Sequence, residues 1–232
     1  MTLLNWELTP EGVTILSDTL SLNDTHRPRT FLTKVYPAPH LDAVVTGTGL
    51  SEIVTRFYFH VSGQAIANDI DHLMEYAPNI LRGIWLEFAD KIPEGATTTV
   101  YMFGISRQSG KFVGYALRST ADFNAELLPH GIAAKPAPAL EELQTVVDIR
   151  SFVDLALRQQ EHDRALRRQE RLGIGGDLWF YSLNKSEDGS LALAMARVMR
   201  LPHYDDDHEL MLAQLPQNAN HPRSLLALAC DP

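Results

Sequence analysis

Three residues near the start of the chain are of types that could do chemistry together: Thr2, Asp18 and Lys34. They are spaced evenly, with sixteen residues from Thr2 to Asp18 and sixteen more from Asp18 to Lys34. With Met1 removed, Thr2 becomes the first residue, and Thr is small enough for the usual aminopeptidase to act before it. A terminal Thr carries a hydroxyl nucleophile and a general base, its own α-amine, on one residue. That amine has an ordinary pKa of roughly 8, so a useful fraction is neutral near physiological pH. An ammonium such as Lys34 favours the deprotonated forms of its neighbours. Asp18 is the carboxylate that would hold that ammonium if the pair is withdrawn from water.

Each residue also has a plain structural reading. Asp18 could cap a turn at a strand end. Lys34 could be a solvated residue on an edge strand, and Thr2 an ordinary chain end.

The surrounding segments argue for the joint reading. Gly12-Val13-Thr14-Ile15-Leu16-Ser17-Asp18-Thr19 is a strand pattern ending in Asp-Thr, and Thr33-Lys34-Val35 follows. This stretch resembles proteasome β-subunits and bacterial proteasome-related peptidases, which are N-terminal nucleophile (Ntn) hydrolases. In an ungapped register, the resemblance puts Thr2 on the nucleophile, Asp18 on the aspartate and Lys34 on the lysine. It puts Thr48-Gly49 on the Gly-Gly whose first N–H serves the oxyanion hole, and Glu52 on the acidic residue just after. An N–H there would stabilise a tetrahedral oxyanion. That contribution is a main-chain one, so Thr48 in place of Gly changes geometry rather than chemistry.

The resemblance implies an α+β fold, a four-layer αββα sandwich, acting on a peptide or amide substrate and assembling as a homo-oligomer. It extends more loosely to about residue 200, through Val100 to Leu117 and Gly175-Gly176-Asp177-Leu178-Trp179. The chain also departs from the pattern. Ile174 stands where the family has a Ser before its late Gly-Gly, and Arg171 stands where it has an Asp. Gly131 to Pro136 contains no Ser where the family has one. These departures fit a second reading, a catalytically silent Ntn-fold subunit with a structural or binding role.

Hydrophobic periodicity and turn signals lay out the elements that must position these residues. Leu3–Leu8 and Val13–Thr19 read as a hairpin around Thr9-Pro10-Glu11-Gly12. Asn23–Arg29 reads as a polar loop, Phe31–Tyr36 as a strand, and Leu41–Thr46 as a buried strand. Gly47-Thr48-Gly49 then turns into a helix near 51–60. Asn68–Ile92 is a long helical stretch that Pro78 kinks or splits. Thr97–Ser106 and Phe112–Arg118 form a hairpin, Glu126–Pro138 is irregular, and Leu140–Leu172 is mostly helical. Gly173-Ile174-Gly175-Gly176 ends that helix. Asp177–Leu183 and Leu191–Arg200 form the last hairpin, and the tail from about 201 is weakly structured. Residues 1–232 read as a single Ntn-hydrolase-like domain.

Composition narrows the classes. Hydrophobic residues make up 45% and charged residues 21%, which is globular rather than disordered. A net charge of −9 argues against nucleic acid and against an anionic membrane surface as partners. The one cysteine, Cys230, offers no internal disulfide framework. No run reaches the length of a membrane span and no signal peptide is read, so a cytoplasmic location is expected. Phosphate-loop, dinucleotide and paired-cysteine motifs are absent, so no cofactor is expected. His203-Tyr204-Asp205-Asp206-Asp207-His208-Glu209 offers metal-ligand types, but consecutive residues rarely converge on one ion; an acidic surface loop and no metal are expected. The Arg158–Arg171 run mixes charge signs and reads as a solvated helix face or subunit contact.

Overall fold

Thr9 closes the first hairpin by a local side-chain bond. Its Oγ1 accepts the Gly12 N–H at 3.1 Å, which turns β1 (Leu4–Leu8) into β2 (Gly12–Ser17). The computed structural model describes residues 2–186 and 190–215. After β2 come β3 (Leu20–Leu22), β4 (Pro28–Phe31), β5 (Val35–Ala38) and β6 (Ala43–Thr48). Three helices follow: α1 (Ser51–Gly63), α2 (Ile70–Met74) and α3 (Ala77–Glu87). Then come β7 (Thr99–Ile105), β8 (Phe112–Arg118), β9 (Ala125–Leu127) and β10 (Gly131–Lys135). The chain continues through α4 (Leu140–Gln144), α5 (Ile149–Ala165), β11 (Asp177–Lys185), β12 (Leu191–Arg200) and α6 (Tyr204–Ala213).

Two five-stranded antiparallel sheets result, in the orders β10-β1-β2-β11-β12 and β5-β6-β7-β8-β9. Side-chain alternation explains how they stack. Trp6, Leu8, Val13 and Ile15 from the first sheet meet Val44, Tyr101 and Phe103 from the second. Leu16, one residue after Ile15, points the other way and packs with Phe152 and Leu155 of α5. On the far side of the second sheet, Val45, Met102 and Leu117 pack with Ile53 and Phe57 of α1 and Leu81 of α3. Helices therefore cover both outer faces, and the fold is the α+β, four-layer αββα sandwich expected from the sequence.

The structure corrects four boundaries. Phe31–Tyr36 is not one strand: β4 ends at Phe31 and β5 begins at Val35, so Lys34 lies in the break between them. The polar loop is shorter than read, because β3 and β4 pair across Asn23–Arg27, whose Asn23 Oδ1 accepts the Thr25 and Arg27 N–H groups. Glu126–Pro138 is not irregular. It contains β9 and β10, short strands whose pairing partners, β8 and β1, lie elsewhere in the sequence. The expected weak tail from 201 instead opens with α6, held by tertiary contacts. Tyr204 stacks on Phe31 at 4.5 Å between ring centroids, and the buried Asp207 pairs with Arg164. Residues from 216 onward lie outside the described residues. The split at Pro78 is as read, with α3 starting at Ala77 and Pro78 in its first turn, where the missing N–H costs nothing.

Among the described residues, no helix is long and apolar enough to cross a membrane. The two sheets also withdraw ionisable rings from water, Tyr181 almost wholly and Tyr115 in part. Tyr115 on β8 donates its hydroxyl to Asp71 Oδ1 of α2 at 2.9 Å. Burial first, then that bond and the nearby carboxylates, push its hydroxyl up to about 12. Burial likewise pushes Tyr181 on β11 up to about 12. A folded pKa above the unfolded value of about 10 means that the tyrosines contribute stability in full below pH about 10. That contribution is lost as pH rises towards about 12. In an absorbance titration, Tyr115 and Tyr181 should ionise only near pH 12, and resistance to urea should fall over the same interval. A Tyr115→Phe variant should show one late-ionising tyrosine fewer.

Candidate functional site

The site forms where β2 runs out. Asp18 lies just past its last residue, Ser17, and the Asp18 side chain is fully buried. Its Oδ1 accepts the Lys34 ammonium at 2.7 Å and the Leu3 N–H at 3.0 Å. Its Oδ2 accepts the Gly175 N–H at 3.0 Å. Lys34 reaches in from the β4–β5 break and gives a second bond to the Leu20 carbonyl at 2.7 Å. The Lys34 backbone is itself fixed, since Thr46 of β6 donates its hydroxyl to the Lys34 carbonyl at 2.8 Å. Burial pushes the Asp18 carboxyl up and the Lys34 amine down. Their mutual attraction, and for Asp18 the two backbone N–H donors, pull each back towards its charged form.

Thr2 precedes the residue whose N–H Asp18 holds. It is buried, and with Lys34 it lines a cavity of about 520 Å³. Gly47 and Gly49 line the same cavity on either side of the half-buried Thr48, the last residue of β6. Gly49 must be glycine: its φ is +96°, and a Cβ there would lie 2.1 Å from the Thr97 carbonyl oxygen. The N-terminus of α1 follows at once and has no side-chain cap, and Leu50, Ser51 and Glu52 add to the cavity wall. The Leu50 N–H is taken by Thr98 Oγ1 at 3.0 Å, and the positive end of the α1 dipole lies at the wall of the space that Thr2 borders. His26, Arg29 and Arg171 contribute basic groups to the wall, and Asp24, Glu52 and Glu94 acidic ones. Arg29 and Glu52 are 3.4 Å apart and half-exposed.

Of the five residues singled out in the sequence, Lys34 is bonded to Asp18, Thr2, Lys34 and Gly49 line one cavity, and Thr48 lies next to Gly49 without lining it. The residues that depart from the family pattern take other work. Ile174 is buried in the apolar cluster under α5. Arg171 donates to the Arg164 and Leu166 carbonyls. Gly131–Lys135 is β10, paired along β1. Sequence reading missed Asp163, at the end of α5, which accepts the N–H groups of Leu172, Gly173 and Ile174. It also missed Thr19, whose hydroxyl accepts the Asp177 N–H at 2.8 Å. The available signal was the run of loop N–H groups from 172 onwards, which need acceptors once buried.

The segment read as a possible metal loop is α6. Asp207 there is paired with Arg164, and His203 lies 3.0 Å from Asp206. Among the described residues, no group of three or more His, Cys, Asp or Glu side chains is placed to hold a metal ion.

Comparison with solved structures gives matches over almost the whole chain. Anbu (ancestral beta-subunit) from Yersinia bercovieri aligns with a TM-score of 0.57 at 12% identity, covering 92% of this chain and 97% of that one. The Anbu (Gly-1) mutant from Hyphomicrobium sp. strain MC1 aligns at 0.61 and 11% identity, covering 92% and 93%. The helical assembly of the Anbu complex from Pseudomonas aeruginosa aligns at 0.62 and 10% identity, covering 94% and 100%. No family model matches the chain, and no curated protein matches its sequence. These findings correct the family named from sequence. The structural likeness is to Anbu, a distinct proteasome-like family, rather than to proteasome β-subunits and the bacterial peptidases as such. At this identity the likeness is one of fold.

Two outcomes follow from the geometry. Lys34→Ala strands a fully buried carboxylate, and Asp18→Ala strands an ammonium and two N–H groups. Each should lower unfolding free energy by about 3–5 kcal/mol. The double variant Asp18→Ala/Lys34→Ala should lose clearly less than the sum, as read by urea denaturation in a double-mutant cycle. Gly49→Ala should cost about 1–3 kcal/mol from the positive φ and the Thr97 carbonyl clash, measured the same way.

Proposed function

We propose that the protein is an N-terminal threonine hydrolase that cleaves amide or peptide bonds. The observation that carries this reading is the buried Lys34–Asp18 pair opening on the cavity that Thr2 lines, with the same carboxylate fixing the backbone next to Thr2. Cleavage of the Met1–Thr2 bond exposes the Thr2 α-amine. In this reading the amine takes the Thr2 hydroxyl proton as Oγ1 attacks the substrate carbonyl. Lys34 favours the deprotonated amine, and its depressed basicity in the buried site brings it closer to the operating range of acid–base groups. Asp18 orients Lys34. The tetrahedral oxyanion is stabilised by backbone N–H groups at Thr48 and Gly49, beside the start of α1. Collapse of that intermediate gives an ester on Thr2 and releases the amine, which leaves with a proton. Water then attacks the ester and restores the hydroxyl.

The Anbu helical assembly supports a homo-oligomeric form for this chain too. The lone cysteine fits a reducing, cytoplasmic setting. A second reading, a catalytically silent subunit, is favoured by Ile174 and Arg171 where supporting Ser and Asp would stand.

Intact mass after incubation with a peptide epoxyketone separates the two, because that probe needs a free terminal amine next to the hydroxyl. The hydrolase reading expects loss of Met1 and one adduct per chain, absent from Thr2→Ala and reduced at least tenfold in rate by Lys34→Ala in whatever fraction folds. A chain with Thr2 exposed and no adduct would overturn it in favour of the silent subunit.

A further inference from the structure

Four consecutive backbone N–H groups, from Leu172 to Gly175, end on two buried carboxylates. Leu172 donates to Asp163 Oδ1 at 2.6 Å, and Gly173 and Ile174 donate to Asp163 Oδ2 at 3.1 Å each. The next N–H in line, that of Gly175, goes to Asp18 Oδ2. The loop is also held from its other side, because the Gly175 carbonyl accepts the Thr19 and Leu20 N–H groups at 3.2 and 3.0 Å. Asp163 is only 2% exposed. Among the described residues Asp163 pairs with no cation, and its three N–H donors are what anchor it, so the loop and the end of α5 fix one another.

We propose that Asp163 is a positioning residue for the site: by gathering three loop N–H groups it delivers the fourth, that of Gly175, to Asp18, and so sets the carboxylate that holds both Lys34 and the backbone beside Thr2. This deepens the reading given under Proposed function and rests on it for the catalytic consequence. It supplies what the residues at 171 and 174 do not. Gly173 adds a constraint to the same loop. Its φ is +79° and a Cβ there would lie 2.4 Å from Leu22, so the loop passes β3 too closely for any side chain.

The chain of contacts gives a direction to each effect. With an amide in place of the Asp163 carboxylate, one of its two acceptor oxygens becomes an NH2 donor facing the loop N–H groups, and the loop loosens. The Gly175 N–H then withdraws from Asp18, which loses a donor that favours the carboxylate. Lys34 is the charged group in contact with Asp18 and stays in place.

The test uses the full chain with Asp163→Asn, which keeps the shape and removes the charge, and Asp163→Glu, which keeps the charge and should restore part of the effect. Folding is checked by thermal melting. Three readouts are compared with the wild type: hydrogen exchange of individual amides, the NMR titration of the Asp18 carboxyl, and the rate of epoxyketone adduct formation. For Asp163→Asn the expected result is at least tenfold faster exchange at Leu3 and at 172–175 with β7 and β8 unchanged. An upward shift of the Asp18 titration and at least a tenfold slower adduct rate should accompany it. Should Asp163→Asn fail to fold, the Asp163→Glu chain carries the same three comparisons. A folded variant with unchanged exchange at Leu3 and Gly175 and an unchanged Asp18 titration would overturn the proposal. So would exchange that accelerates uniformly over the core, which marks a merely structural role. A wild type that forms no adduct would defeat the hydrolase reading instead, and the exchange and titration readouts would still decide the positioning role.

Discussion

Everything around the site depends on one buried carboxylate. Asp18 is fully buried and is held by one ammonium and two backbone N–H groups drawn from three separate parts of the chain. Burying such a group costs several kcal/mol unless its partners are well placed. The fold therefore has to keep Leu3, Lys34 and Gly175 converged at once. That requirement ties the start of the chain to the β4–β5 break and to the loop before β11. It also explains why residues remote from any chemistry, such as Thr46 and Asp163, are polar and buried: each fixes a backbone that presents a partner to Asp18.

The four-layer sandwich supplies the rigidity. Leu3 and Leu4 are fully buried, and β1 lies between β10 and β2 in its sheet. The backbone beside Thr2 thus leads directly into a sheet packed on both faces. The cavity lies beside β3, where β6 ends and α1 begins. Strand and helix ends leave N–H groups unpaired and change the chain's direction, so such positions can present polar groups without breaking a ladder. The second sheet contributes Gly47 and Gly49 at the end of β6, whose pairing with β7 sets the close approach of Gly49 to the Thr97 carbonyl.

The loop from 172 to 176 shows how one support can stand in for another. Ile174 is apolar and packs into the cluster beneath α5, where a hydroxyl would need a partner. The polar task falls to Asp163 on the helix end. In this chain, the hydrogen-bond demand of the loop is met by a carboxylate below the backbone rather than by side chains on the loop itself.

Much was legible in the sequence because it is local. The Thr-Pro-Glu-Gly turn, the alternation in Gly12–Ser17, the Gly47-Thr48-Gly49 corner and the split at Pro78 are set by side chains and neighbours within a few residues. The types and spacing of Thr2, Asp18 and Lys34 were legible too; the structure bonds Lys34 to Asp18 and Asp18 to the N–H that follows Thr2. What only the tertiary structure decided involves partners far apart in the chain. Strand β10 is a strand because β1 lies beside it, and α6 is held by Phe31 and Arg164, not by a strong apolar stripe of its own. Lys34 meets Asp18 only because the strand read across Phe31–Tyr36 breaks and lets the side chain turn inward. Asp163 lies within a charged run that reads as a solvated face. It is buried because the loop carrying Ile174 folds over it, and no periodicity in that run encodes a contact made by backbone N–H groups.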